Sequence, residues 1–140
     1  MRLITVTREG EAFAIASGLW LGGARPLVVI QNTGLLESGD SLRGTAVRMA
    51  APIPILITGR GYAKMARAGL TPDEPRTSEL LTRADVDSTA LLTEPTLAAW
   101  GIPFERCQGD QDPAAALART IGAARSEQRP RAVIVARALN

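Results

Sequence analysis

The chain has no histidine and a single cysteine, Cys107. The usual zinc centres, a Ser/His/Asp nucleophilic site and an internal disulfide are therefore excluded. Aromatic residues are also scarce, with two Trp, one Tyr and two Phe among 46% hydrophobic residues. Such a core must be mostly aliphatic, which favours an α/β layering. No apolar run reaches the roughly 18 residues of a membrane span and no signal peptide is present, so a cytoplasmic protein without a membrane partner is the default expectation. Neither a G-x-G-x-x-G nor a G-x-x-x-x-G-K-[ST] loop occurs, which sets aside the common nucleotide-binding domains. The formal charge is only +2 although the isoelectric point is near 9.3. The cations, almost all Arg, are scattered rather than massed, so there is no nucleic-acid footprint.

What is present alternates. Arg2 to Val6 reads as a short strand, and Glu9 to Leu21 as a helix capped by Thr7 and closed by Gly22 and Gly23. Pro26 to Gln31 is a continuous apolar run of the kind buried on both faces of a parallel sheet. A polar turn is expected over Asn32 to Gly39, then a helix capped by Asp40 or Ser41 and running to about Met49. Ile53 to Thr58 is the next buried strand, held from starting early by its flanking prolines. Strand, helix and strand in this order predict βαβ units, with ligands gathering above the C-terminal edge of the sheet. Gly59 to Asp87 is less regular, with a short helix around Ala63 to Ala68. Thr93-Glu94-Pro95 has the form of a helix start, and Gly101 that of its stop after Trp100. Ile102 to Cys107 reads as a strand, Asp112-Pro113 as a second cap-plus-proline start of a helix to about Glu127, and Arg131 to Arg137 as the last strand. No repeat, low-complexity tract or linker divides the chain. One domain over residues 1–140 is expected, long enough to bury about two-thirds of its unfolded surface without metal or disulfide.

The stretch from Thr7 to Gly23, TREGEAFAIASGLWLGG, carries the candidate chemistry. Glu9 stands where the first strand hands over to the first helix, and the helix dipole favours an acid there. Ala12, Ile15, Ala16 and Leu19 follow at helical spacing, with small residues that admit a close neighbour. On the residues alone, Glu9 and Glu11 read as ordinary solvated first-turn acids.

Glu9, Ala12, Ala16, Gly18, Gly22 and Gly23, after an extended Ile4-Thr5-Val6, together resemble the pyrimidine-binding domain of thiamine-diphosphate-dependent decarboxylases. Within that family the pattern resembles the alpha subunit of sulfopyruvate decarboxylase and its relative phosphonopyruvate decarboxylase. It continues through Pro26 to Leu35, Ile53 to Ile57, Arg60-Gly61, Asp73-Glu74-Pro75 and Gly101-Ile102-Pro103. The resemblance implies a three-layer α/β/α fold around a mostly parallel sheet. It makes Glu9 the glutamate that hydrogen-bonds the cofactor's aminopyrimidine ring and favours its imino tautomer. Asn32, Thr33 and Gly34 become further cofactor contacts, and Gln31 and Arg60 contacts of a small 2-oxo-acid substrate. Arg suits such a carboxylate through its planar fork, whereas Lys64 and Arg67 read equally as solvated or subunit-facing cations. Cys107 reads as a small buried residue.

The chain departs from the pattern where the family continues Gly-Leu-Gly-Asn with a further Asn nearby, since Glu37 and Asp40 stand here instead. Either acid, if it points inward, would repel an anionic sulfonate or phosphonate. The family's Gly-Asp-Gly motif for the diphosphate and its magnesium is absent, so thiamine diphosphate and Mg2+ are expected to be held with a partner subunit carrying the diphosphate-binding domain, in a hetero-oligomer. The resemblance begins at the family's second strand, so an upstream start is expected, with an opening strand and helix of roughly 30 residues or more. Two other readings stay open: a carboligase subunit of the acetolactate synthase kind, and a non-catalytic regulatory or interaction subunit that keeps the fold.

Overall fold

The computed structural model describes residues 2–136. Its elements are α1 (Glu9–Leu21), β1 (Val28–Gln31), α2 (Asn32–Glu37), α3 (Gly39–Ser41) leading into a π-helical segment (Leu42–Val47), β2 (Pro54–Thr58), α4 (Tyr62–Arg67), α5 (Ser78–Thr82), α6 (Ser88–Ala99), β3 (Phe104–Cys107), α7 (Pro113–Glu127) and β4 (Arg131–Val135). The strands form one sheet in the order β1-β2-β4-β3, and every pairing is parallel. Val28 pairs with Ile55, Ile55 with Ala132, and Phe104 with Ala132, which brings all four C-terminal ends to one edge.

The two faces of the sheet are covered unequally. On one face α7 packs over Cys107 and Val133, with Ala116, Leu117 and Leu56 completing a small core. On the other lie α1, α2, α6 and the π-helical segment, whose Phe13, Leu35, Leu42, Ala46 and Leu97 close over Ile30, Ile55, Ile57 and Ile134. Burying each such isoleucine or leucine is worth roughly 1.5–3 kcal/mol, so the aliphatic content read from the composition is what holds the layers together. Helix α7 owes its start to Asp112, whose carboxylate accepts from the Ala114 amide at 2.9 Å, and to Pro113, which fits the first helical turn. Helix α6 ends where Gly101 takes a left-handed φ of +68°, a conformation that favours glycine.

Several sequence expectations are corrected. Residues 2–6 join no ladder and Thr7 caps nothing; Arg8 occupies the cap position of α1 and makes no side-chain cap bond. The strand from residue 26 shrinks to Val28–Gln31 and is buried on one face only, with Val29 64% exposed. The reason is topological, because β1 is an edge strand while α7 packs chiefly on β4, β2 and β3, and among the described residues no strand neighbours the outer edge of β1. Helix α1 buries Phe13, Ala16 and Ser17, one position round from the expected stripe, and leaves Ile15 and Leu19 partly exposed. The polar turn after β1 is the helix α2, and the following helical segment is entered from Ser38 with no side-chain cap from Asp40 or Ser41. Helix α6 begins at the Asp87 cap, so Thr93-Glu94-Pro95 is internal to it. Arg137, the expected end of the last strand, lies outside the described residues.

Near the C-terminal edge, α4, α6 and β3 are tied by one carboxylate. Glu94 accepts from the Tyr62 hydroxyl at 3.2 Å and from Arg106 at 2.9 Å. Burial, and then the Glu94 charge, push the Tyr62 phenol well above its ordinary value near 10. The folded state therefore keeps a proton that the unfolded chain releases. This contribution is complete below about pH 10 and is lost as the pH rises beyond it. Tyr62 is the only tyrosine, so phenolate absorbance reports on it alone. The expected outcome is a phenolate titration displaced upward in the folded protein, and a fall in urea midpoint above about pH 10 that is shallower in Tyr62→Phe.

Candidate functional site

The candidate residues gather at the C-terminal ends of β1 and β2. Gln31 ends β1, and Asn32, Thr33 and Gly34 open α2 directly after it. Asn32 is fully buried. Its side-chain amide donates to the Arg60 carbonyl at 2.9 Å and to Thr93 Oγ1 at 3.2 Å, while its Oδ1 accepts from the Arg60 amide at 3.1 Å. Thr93 in turn donates to the Thr89 carbonyl at 2.7 Å. One amide thus joins the end of β1, the loop after β2 and the middle of α6. A buried amide without such partners is costly, so these bonds specify the arrangement as well as stabilise it.

Glu9 opens α1 and lies against this turn. A Cβ added to Gly34 would stand 2.3 Å from Glu9 Cγ and 2.9 Å from its Oε1, closer than atoms pack. Only a glycine lets the Glu9 side chain rest on the α2 backbone. Glu9 itself is exposed, and its carboxylate makes no hydrogen bond or ion pair among the described residues. Thr33 donates to Gln31 Oε1 at 2.7 Å, which fixes the two side chains relative to each other beside the turn.

Arg60 is pinned through its backbone by Asn32, and its Nε lies 3.3 Å from Asp87 Oδ2. Asp87 also caps α6, accepting from the Thr89 amide at 3.1 Å. The Arg60 side chain is 61% exposed. An ion pair with so exposed a partner is worth about 0–1 kcal/mol, so an incoming carboxylate can compete for the guanidinium. Lys64 is taken by the Ala84 carbonyl at 2.7 Å. Cys107 is buried, as expected, with its thiol against the Gln111 carbonyl.

The two acids that depart from the family pattern have separate fates. Glu37 accepts from the Gly10 amide at 3.2 Å. Asp40 pairs with Arg43 at 2.7 Å and is 95% exposed. Neither carboxylate is engaged with Gln31 or Arg60.

Sequence reasoning missed Thr93, Asp87 and Ser41 as parts of this edge. Asp87-Ser88-Thr89 carried a cap signal, overshadowed by the stronger-looking Thr93-Glu94-Pro95. Nothing local marked Thr93 as the buried partner of Asn32, 61 residues away. Elsewhere, a surface depression of about 240 Å3 lined by Trp20, Pro26, Pro52 and Arg125 lies at the opposite end of the sheet and touches none of these residues.

The residues present fit one end of the implied cofactor better than the other. An unpaired carboxylate at the sheet edge suits an aminopyrimidine nitrogen. Among the described residues no group of three Cys, Asp or Glu is placed to hold a metal ion.

No protein-family profile matches the chain. Phosphonopyruvate decarboxylase of Streptomyces viridochromogenes is 40% identical over 60 residues, which are 43% of this chain and 15% of that protein. Sulfopyruvate decarboxylase of Methanosarcina acetivorans is 38% identical over 61 residues, 44% of this chain and 16% of that protein. Sulfopyruvate decarboxylase subunit alpha of Methanococcus maripaludis is 31% identical over 83 residues, 59% of this chain and 50% of that one. The matched stretches thus span half or less of these relatives. Among solved structures, benzoylformate decarboxylase from Polynucleobacter necessarius superposes on 89% of this chain and 22% of its own, with a TM-score of 0.54 and 15% identity. At that identity the likeness is one of fold, and it bears out the three-layer α/β/α arrangement with a mostly parallel sheet.

The Asn32 junction makes a quantitative expectation. Asn32→Ala strands the Arg60 backbone groups and the Thr93 hydroxyl, and should cost on the order of 2 kcal/mol in urea unfolding. A change below about 0.5 kcal/mol, the range of an ordinary surface substitution, would show that the junction is not what holds this edge.

Proposed function

We propose, from the premise that the chain is related to thiamine-diphosphate-dependent decarboxylases of the phosphonopyruvate and sulfopyruvate type, that residues 1–140 form the pyrimidine-binding domain of a 2-oxo-acid decarboxylase. What supports this most is Glu9, resting on Gly34 with its carboxylate unpaired at the C-terminal edge of the sheet. In this reading Glu9 holds the aminopyrimidine by a hydrogen bond and governs the proton at that nitrogen. Thr33 and Gly34 border the ring, while Asn32 acts from behind by holding the turn. Arg60, with Gln31 beside the turn, receives the substrate carboxylate, since its exposed pairing with Asp87 is weak enough to yield. When bound, the thiamine group supplies the electron sink for the carbanion left by loss of carbon dioxide.

The diphosphate and Mg2+ fall to a partner subunit carrying the diphosphate-binding domain, so the active species is a cytoplasmic hetero-oligomer. No helix among the described residues is long and apolar enough to cross a membrane. The substrate is a small 2-oxo acid of the sulfopyruvate or phosphonopyruvate kind; Asp40 is neutralised by Arg43, whereas Glu37 stays anionic where it accepts from Gly10.

Two substitutions test the reading in the complex with the candidate partner, by calorimetry with thiamine diphosphate and Mg2+ and by turnover of 2-oxo acids. Glu9→Gln should bind the cofactor yet lose about 10²- to 10⁴-fold in turnover, the usual worth of a placed proton-transfer group. Gly34→Ala should keep or slightly raise stability, because alanine favours a helix by up to about 1 kcal/mol over glycine. It should nonetheless lose turnover, since its Cβ displaces Glu9. A complex that neither binds the cofactor nor turns over any 2-oxo acid would leave this chain a scaffold of the fold.

A further inference from the structure

The first amides of a helix have no acceptor within it, and α1 lacks the local remedy, because Arg8 at its cap position has no side-chain acceptor to offer. The remedy comes from 27 residues further along the chain. Glu37 Oε2 accepts from the Gly10 amide at 3.2 Å, and the Ser41 hydroxyl donates to the Gly10 carbonyl at 2.7 Å. Both polar groups of the residue next to Glu9 are thus held by one neighbouring segment. That same segment supplies Gly34, on whose backbone the Glu9 side chain lies.

We infer that Glu37 is a positioning residue for Glu9, holding the first turn of α1 at the height and angle from which the Glu9 carboxylate is presented. The inference rests on the reading of Glu9 given above and adds to it a residue that the resemblance does not supply, since the family pattern places no acid there. A remote acceptor does more than a local cap. It couples the start of α1 to the end of α2, so the carboxylate is referenced to the strand end that Asn32 locks rather than to residues 2–8, which join no ladder. Negative charge at this terminus is also favoured by the helix dipole. Misplacing a proton-transfer group lowers the rate of the step it serves more than the affinity for the ligand, so the effect falls on kcat.

The experiment has one readout that needs no activity. Amide hydrogen exchange of Gly10, followed by NMR in the 140-residue chain, reports the bond to Glu37 directly. In Glu37→Ala the Gly10 amide should exchange about tenfold faster, as expected for loss of a charge-assisted hydrogen bond. Glu37→Gln keeps a side-chain carbonyl acceptor and should retain most of the protection. In the complex with the partner subunit, Glu37→Ala should lower kcat about tenfold with little change in cofactor affinity, and Glu37→Gln should restore it. Should Glu37→Ala fail to fold, Ser41→Ala removes the other half of the clamp and should give a smaller loss of the same kind. Unchanged Gly10 exchange in Glu37→Ala, or faster exchange with unaltered kcat, overturns the inference while leaving the role of Glu9 intact. If Glu9→Gln turns over as fast as wild type, the underlying reading has failed instead, and the positioning role falls with it.

Discussion

The C-terminal edge of the sheet depends on one buried side-chain amide. Asn32 carries donors and an acceptor into a region from which water is excluded, and there it must find partners or impose a penalty comparable to a sizeable share of the stability of a domain. It finds them on Arg60 and Thr93. Three segments that are far apart in the chain are thereby brought into a single relative position. An aliphatic core could not do this alone, since hydrophobic burial is non-directional and tolerates shifts that a hydrogen-bond set does not.

The candidate chemistry is built outward from that junction. Gly34 stands two residues beyond Asn32, Glu37 three beyond that, and Ser41 closes the series against Gly10. Gly34, Glu37 and Ser41 all contact Glu9 or Gly10 in the first turn of α1, which is the basis for the proposed positioning of Glu9. The cations are held more loosely. Arg60 is anchored by its backbone but only weakly by its guanidinium, an arrangement that keeps a charge in place while leaving its donors open to exchange. Among the described residues no strand lies beside the outer edge of β1, and Val29, Leu27 and Leu3 stay open to solvent.

How far the sequence could be read follows from the range of the forces involved. The signals at Asp112-Pro113, Gly101 and Gly22-Gly23 are local, set by capping and by backbone dihedrals, and the corresponding ends of α7, α6 and α1 lie where those residues put them. The alternation of apolar strands and helices is also a short-range pattern, and it predicted the parallel layered sheet. The misreadings share a different cause. Asn32 to Glu37 has turn-like composition, yet α2 forms because Leu35 and the buried Asn32 pack inward against other elements. Thr93-Glu94-Pro95 has the form of a helix start, but Asp87 supplies an earlier cap and the interior of α6 tolerates Pro95. Residues 2–6 have strand-forming side chains and no partner, and without a ladder a strand does not form.

Of the candidate site, the residue types and their order along the chain were legible in the sequence: an acid at the head of the first helix, an Asn-Thr-Gly step after a buried strand, and an Arg after the next. Chemistry of that kind is carried by side-chain identity, which the sequence states outright. What each residue does with its polar atoms was decided by the tertiary structure. Asn32 turned inward, Glu37 turned to Gly10, Asp40 turned to Arg43, and Glu9 alone among these acids was left without a partner among the described residues. Sequence spacing cannot supply that distinction, because hydrogen bonds depend on distances of about 3 Å between groups that lie tens of residues apart, and only the packed layers bring those groups together.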